Sequence, residues 1–301
     1  MKKNLKLFFY GHGQWALNTL KDLCHRKDCQ LDLVISRFPN GDKEIQTFCK
    51  INGIAYTIVE DINDFFKKNQ LSLDLGISVS YDQIFKKETI ALHKKGIINF
   101  HAGELPDFKG RNVLNWAIIN GLNKFGITVH YIDEDIDTGN IISQKLISIK
   151  ENDNYNDVLL KAYEECPKLV IKSLDLILKN KVKQIKQKNI KQYPIYCSKR
   201  REGDEFINWS NKSLEIYNFI RALVPPGPYA QTTIKGTKVY IEKAKYIKSA
   251  PKYKDYPGSI LKKDSSGLLV KTGDSYILIQ KWDCDILLRR GDRFNCGSNY
   301  C

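Results

Sequence analysis

Apolar residues come in short blocks along the first half of the chain, and each block is followed by a stretch with helical spacing. Residues 5–10 (LKLFFY) and 31–36 (LDLVIS) read as strands. Between them, residues 14–26 carry apolar side chains at 16, 17, 20 and 23, one face of a helix. The rhythm repeats: helix 45–52, strand 56–59, helix 62–68, strand 73–79, helix 83–92, strand 96–101, helix 112–119, strand 125–132 and a long helix over 157–178. Repeated strand–helix units predict an α/β fold with a Rossmann-like, mostly parallel sheet and helices on both faces. After residue 200 the pattern changes. A helix over 213–223 and a rigid turn at 224–229 (VPPGPY) precede five short strands, 231–234, 238–243, 258–262, 267–272 and 276–280, separated by Gly, Asp and Ser turns. That is the pattern of a small antiparallel, OB-like barrel. The predicted organisation is an N-terminal domain over 1–203, including a basic linker from about 179, and a C-terminal domain over 204–301. No internal repeat is present.

Length and composition agree with this plan. At 301 residues, 42% of them hydrophobic and 11% aromatic, the chain can build two packed cores and is not a disordered segment. No apolar run approaches the ~18–20 residues of a membrane helix. The opening MKKNLKLFFYGHG has an apolar run that stops at glycines with no cleavage site, so it reads as a first strand of a cytoplasmic protein. Lys plus Arg number 48 against 34 acids, a net charge of +14. Such a charge suits nucleic acid, anionic lipid or small anionic substrates, and a general lysine bias gives the same number. Only residues 179–201 concentrate it, with nine basic side chains and no acidic one. The eight cysteines form no CxxC and no zinc-ligand spacing, which predicts free thiols and no metal.

Three places carry candidate chemistry. Gly11-His12-Gly13-Gln14-Trp15-Ala16 links a strand to a helix and fits G-x-G-x-x-A, the dinucleotide fingerprint. The acid that the fingerprint needs at the end of the second strand is replaced by Ser36-Arg37, so the signal is weak and a plain tight strand–helix turn is the better reading. Asn99 and His101 stand two apart at the end of a buried strand and therefore share a face, at the sheet end where α/β proteins bind ligands. Asp133, Asp135 and Asp137 follow the next buried strand, and one could return to the histidine. Amide, imidazole and carboxylate together supply an oxyanion donor, a base and an orienting acid. Taken singly, a strand-end histidine also serves packing, and an acidic loop also serves metal, although the spacing is not that of an EF-hand.

The sequence Asn99-Phe100-His101, then Leu105-Pro106-Asp107-Phe108-Lys109-Gly110, Gly126-Ile127-Thr128-Val129-His130 and Asp137-Thr138-Gly139, closely resembles the catalytic core of the 10-formyltetrahydrofolate-dependent formyltransferases. The 36-residue step from His101 to Asp137 fits that arrangement. The resemblance continues at Ile207-Asn208-Trp209, at 216–222 and at Pro226-Gly227-Pro228. It also explains the glycine turn, which family members keep without a dinucleotide. It implies that Asn99 stabilises an oxyanion, His101 accepts a proton, and Asp137 orients His101. The co-substrate implied is N10-formyltetrahydrofolate, seated by Ser80, Tyr81, Asp133, Asp135 and Ile136, with no metal.

Within that family the resemblance is closest to the enzymes that N-formylate nucleotide-linked amino sugars in lipopolysaccharide O-antigen and other surface-glycan synthesis. Methionyl-tRNA formyltransferases are the alternative. They carry a longer basic insertion after the second strand and a Ser-Leu-Leu-Pro turn; here Arg37–Asp42 is short and the turn reads Gly103-Glu104-Leu105-Pro106. A nucleotide-sugar acceptor implies Arg111 and Arg221 for the diphosphate, Asn115 and Trp116 for the sugar pocket, and Tyr229 for the base. Relatives imply a homodimer through the C-terminal domain and no membrane partner.

Overall fold

The computed structural model describes residues 5–69, 71 and 73–295. In chain order the elements are β1 (Leu5–Gly11), α1 (Gly13–Cys24), β2 (Cys29–Ser36), α2 (Lys43–Ile51), β3 (Ala55–Ile58), α3 (Ile62–Asn69), β4 (Leu75–Val79), α4 (Lys87–Ala91) and β5 (Ile97–His101). There follow β6 (Lys109–Gly110), α5 (Val113–Ile119), β7 (Lys124–Tyr131), β8 (Ile141–Ser148), α6 (Tyr155–Leu178), β9 (Tyr196–Cys197) and α7 (Ser213–Ala222). The last five strands are β10 (Ala230–Ile234), β11 (Thr237–Lys245), β12 (Ile260–Asp264), β13 (Gly267–Lys271) and β14 (Tyr276–Asp283). Packing divides the chain into two units. One takes the residues up to Gly110 with Phe125–Ile147 and Leu160–Cys197; the other takes Arg111–Lys124, Ser148–Leu159 and Ser198 onward.

The first unit is built on a seven-stranded sheet of order β3-β2-β1-β4-β5-β7-β8. Strands β3 to β5 in that order are parallel, and β7 joins β5 antiparallel. Parallel strands are covered on both faces, so they read as unbroken apolar runs rather than alternating ones. Accordingly β4 is buried at every position, and β1 from Leu7 onward. Helix α1 buries Ala16, Leu17, Leu20 and Leu23, the i, i+3, i+4 stripe. A cluster of Phe8, Tyr10, Ile35, Phe66 and Phe85 forms part of the core.

Three sequence expectations change here. The helix expected over 83–92 is only Lys87–Ala91. Gln83 Oε1 instead accepts from Ile62 N at the start of α3 and its Nε2 donates to the Val59 carbonyl, while Lys86 N donates to Asn63 Oδ1, so residues 83–86 are tied to the start of α3 rather than wound into α4. Strand β8 had no periodic signal, because only its first three residues are well buried. The segment expected as a linker contributes strand β9, which pairs with β6 inside the first unit.

The second unit holds a five-stranded antiparallel sheet of order β10-β11-β14-β13-β12. Residues 293–295 bridge Thr233 on one edge strand and Ser259 beside the other, the closure expected of a small barrel. Its core includes Trp209, fully buried and stacked on Phe294 with ring centroids 5.3 Å apart. Helices α5 and α7 belong to this unit. Cys24, Cys29, Cys49, Cys166, Cys197 and Cys284 are free thiols; Cys296 and Cys301 lie outside the described residues. Among the described residues, no helix is long and apolar enough to cross a membrane.

Candidate active site

Antiparallel pairing of β5 with β7 sets Asn99 opposite His130 and His101 opposite Thr128. Cross-strand partners share a face, so four polar side chains converge on one patch of an otherwise apolar sheet. Asn99 Nδ2 lies 3.2 Å from His130 Nε2, and His130 Nδ1 lies 2.7 Å from the Tyr131 carbonyl oxygen. A carbonyl can only accept, so those partners assign the His130 proton to Nδ1 and leave Nε2 to accept from the Asn99 amide. His101 Nε2 lies 2.7 Å from the Phe108 carbonyl oxygen. By the same reasoning His101 carries its proton on Nε2, and Nδ1 is the basic nitrogen.

Asp137 returns over this patch. Its Oδ2 lies 3.5 Å from His101 Nδ1 and accepts from Gly110 N at 2.9 Å, and its Oδ1 lies 3.6 Å from His130 Nε2. Burial opposes ionisation of Asp137, but the two imidazoles in their charged forms, together with the Gly110 N–H, outweigh it and hold the carboxyl well below its usual range. Burial is the largest influence on His101 and pushes its ring below the usual 6.5. Asp137 and the Phe108 carbonyl pull it up, while His130 and Lys109 push it down. The result is a neutral imidazole at neutral pH with a carboxylate placed to stabilise its protonated form, which is what a general base needs.

The turn after β5 is packed tightly against this base. A Cβ on Gly103 would stand 2.5 Å from His101 Nε2, which only glycine avoids. Thr128 Oγ1 donates to the Gly103 carbonyl at 2.7 Å, and Gln144 Nε2 donates to the Leu105 carbonyl at 2.8 Å. His130, Thr128 and Gln144 were assigned no role from sequence. Their signal was present: Thr128 and His130 are polar two apart within the apolar strand FGITVHY. Among the described residues, no group of three or more His, Cys, Asp and Glu side chains is arranged to hold a metal ion.

The remaining predicted residues fall into separate places. In the first unit, Ser80 follows β4 with φ of 59° and its carbonyl accepts from Arg37 Nη2 at 2.5 Å. Tyr81 packs against Tyr10 and Phe85 with its hydroxyl buried and unpartnered, and burial raises its phenol above the usual value. Asp133 accepts from Thr138 Oγ1 at 2.5 Å, Asp135 is exposed, and Ile136 is 62% exposed. At the glycine turn, Gly13 N donates to Asp42 at 2.7 Å. A carboxylate therefore takes the helix-start N–H that a pyrophosphate would use, in keeping with a plain tight turn.

In the second unit, Arg111 is exposed. The buried Asn115 amide donates to the Ala222 carbonyl at 2.8 Å, and Trp116 Nε1 donates to the Ser198 carbonyl at 2.9 Å. Arg221 Nε donates to Asn218 and Nη1 to the Asp153 carbonyl, at 2.9 and 2.7 Å. Arg221 and Tyr229 line a cavity of about 920 Å³, and Asn115 and Tyr229 line a second of about 580 Å³. Asn115, Trp116 and Arg221 thus spend polar atoms on the packing of this unit.

A half-buried amide, a neutral imidazole and a carboxylate on a doubly wound sheet define an enzyme suited to transfer at a carbonyl carbon. Family models agree: one described as formyl transferase matches residues 61–174, and one described as formyl transferase, C-terminal domain, matches 199–285. The methionyl-tRNA formyltransferase of Fusobacterium nucleatum is 31% identical over 255 residues, 80% of each chain. Among solved structures, the N-formyltransferase from Helicobacter canadensis, in complex with folinic acid and dTDP-3-aminofucose, superimposes with a TM-score of 0.71. It is 24% identical and covers 92% of this chain and 99% of its own. A 4-N formyltransferase from Francisella tularensis gives a TM-score of 0.62 at 26% identity, over 75% of this chain and 91% of its own. The chain belongs to the formyltransferase family.

Proposed function

We propose that this formyltransferase moves the formyl group of N10-formyltetrahydrofolate to the amino group of a nucleoside-diphosphate-linked amino deoxysugar. The acceptor carries its amine at the 3 or 4 position, on a dTDP, UDP or GDP sugar used in lipopolysaccharide O-antigen or another surface glycan. The observation that carries formyl transfer is the convergence of Asn99, His101 and Asp137 on one patch of the sheet. Asn99 Nδ2, with one N–H held by His130, directs the other at the oxyanion that forms when the amine attacks the formyl carbon. His101 Nδ1 takes the proton from the attacking nitrogen, and Asp137 stabilises the imidazolium. As the bond from carbon to N10 breaks, His101 returns the proton to the leaving nitrogen. One oxyanion donor is typically worth ~10²–10³ in rate. Ser80, Tyr81 and the loop carrying Asp133, Asp135 and Ile136 seat the folate, and the exposed Ile136 offers its ring an apolar surface. Arg111 and Tyr229 serve the nucleotide sugar.

The acceptor reading is supported by the segment after β2. Arg37 is drawn to Ser80 and Asp82, Gly41 N donates to the Arg37 carbonyl, and Asp42 caps α2 through Glu44 N and Ile45 N. Closed in this way, residues 37–42 offer no projecting basic arm for a nucleic acid. The solved Helicobacter relative in complex with dTDP-3-aminofucose supports the same reading, while relatives such as the Fusobacterium methionyl-tRNA formyltransferase favour tRNA as the second reading. The test is incubation of the purified protein and 10-formyltetrahydrofolate with a panel of dTDP-, UDP- and GDP-amino sugars, with Met-charged initiator tRNA alongside. Formylation of a nucleotide sugar is expected; formylation of the tRNA alone overturns the acceptor assignment.

A further inference from the structure

The lysine-rich stretch after α6 reads as an interdomain linker, yet residues 184–197 run as a strap along the first unit, bonded to both loops that carry the site. At one end, Ile185 and Ile141 exchange backbone hydrogen bonds of 2.9 and 3.0 Å, and Asn140 Nδ2 donates to Gln184 Oε1 at 2.7 Å. At the other end, Ile195 N and Lys191 Nζ both donate to Asp107, at 2.8 and 2.7 Å. Beyond it, Tyr196 and Cys197 pair with Lys109 and Gly110. Gly110 is the residue whose N–H holds Asp137 Oδ2.

Between these ends sits Gln187, buried at 4% exposure. Its two Nε2 hydrogens are used separately, one on the Asp137 carbonyl at 2.9 Å and one on the Gly139 carbonyl at 2.8 Å. A flipped amide would set its oxygen against two carbonyl oxygens, so this orientation is the only one the turn accepts. The turn needs such a clamp. Asp137 takes φ of 55°, a conformation that costs a side-chain-bearing residue energy unless its surroundings over-determine it. Gly139 is packed so closely that a Cβ would stand 1.9 Å from the Tyr131 carbonyl oxygen. Nothing in the Asp137 carboxylate's contacts with His101 and His130, at 3.5 and 3.6 Å, is short enough to hold it there alone.

We propose that Gln187 is a positioning residue for catalysis: it clamps the backbone of the Asp137 turn so that one carboxylate faces both imidazoles. The proposal rests on the reading of His101 and Asp137 as base and orienting acid. Part of the basic strap is thereby assigned to organising the active site rather than to binding a nucleic acid.

The experiment compares the full-length protein with its Gln187→Leu and Gln187→Met variants, and with Lys191→Ala, which loosens the strap at Asp107 without touching Asp137. Imidazole titrations are read by NMR, together with thermal midpoints, kcat and KM. The groups facing His101 are Asp137, His130, Lys109 and the Phe108 carbonyl, and Asp137 is the carboxylate that raises its pKa. Both Gln187 variants are therefore expected to lower the His101 titration midpoint and to cut kcat by up to about 10²-fold, the usual consequence of ~1 Å misplacement. KM for the formyl donor should stay within about two- to threefold. Lys191→Ala should share the thermal loss and leave the His101 midpoint where it was. An unmoved His101 midpoint in a folded Gln187 variant overturns the proposal, as does a kcat loss matched by Lys191→Ala. The titration needs no acceptor, so a wild-type protein that formylates no nucleotide sugar counts against the acceptor assignment alone.

Discussion

Two buried polar clusters, one in each unit, are built from similar side chains and differ in how they close. In the second unit, Asp274 Oδ1 accepts from Ser213 N and Oγ at 2.8 and 2.9 Å, and Ser213 Oγ meets Thr272 Oγ1 at 2.8 Å. Beside them the fully buried Lys271 donates to the Thr272 carbonyl at 2.6 Å and lies 4.6 Å from the Tyr253 ring centre. Every one of these contacts is short and settled. In the first unit, the contacts between the histidines and Asp137 are 3.5–3.6 Å, and His101 keeps a lone pair on Nδ1. Ser80, Phe108 and Asp137 around it all hold positive φ. A structural cluster completes its hydrogen bonds, because an unpaired buried group is costly. The cluster proposed to react leaves a donor and a base open and holds strained backbone in place.

That contrast can be broken by substitution. His101→Ala should have the largest effect, a loss of ~10⁴ in formyl transfer at the upper end of the general-base range, with folate affinity measured by titration staying within a few-fold. Substantial residual turnover would remove His101 from the mechanism. In the second unit, Trp209→Ala should cost about 3–5 kcal/mol in denaturant unfolding, from the cavity beside Phe294. Next, Asn99→Ala should lower kcat by ~10²–10³ without a matching loss of stability. Asn115→Ala sharpens the comparison from the other side. Its amide holds α5 to the end of α7, so leaving the Ala222 carbonyl unpaired should cost about 1–3 kcal/mol of stability, with kcat at saturation unchanged.

The smallest effects are in pH. His101 titrates below 6.5 in the folded protein, so the acid limb of kcat/KM should lie below that value, with rate rising as pH rises through it. His93, buried and 2.7 Å from the Tyr10 hydroxyl, is pushed down to about 4 by burial. Between 6.5 and about 4 the unfolded chain binds the proton that the folded chain refuses, so stability falls as pH falls across that window. His93→Phe should flatten this part of the stability profile, and an unchanged slope would assign the acid sensitivity elsewhere.

Much of the fold was legible because local rules and global packing agree. Buried parallel strands such as β1 and β4 need apolar runs, and α1 needs its stripe, so both announce themselves. Asn99 and His101 were legible by strand alternation, and Asp137 by its motif. Strand β8 was not, because an edge strand is buried too little to impose a pattern. Nor was Gln187 visible, since a lysine-rich stretch carries no period that marks one glutamine as clamped. His130 had a signal, the two-residue step from Thr128, but its role needed its strand partner to be known.

By itself the sequence determined the class of fold, most of its elements, the family and the candidate site residues, because these depend on periodicity and on residues close along the chain. Only the tertiary structure decided that His130 holds Asn99, that the Phe108 carbonyl assigns the His101 proton, that α5 packs with α7, and that the supposed linker straps the Asp137 turn. Most of those are contacts between residues far apart in sequence, such as Asn115 with Ala222 or Gln187 with Asp137, and the Phe108 contact depends on how the turn after β5 folds back. Hydrogen bonds reach only about 3 Å, so nothing along the chain foretells which distant groups folding will bring within that reach.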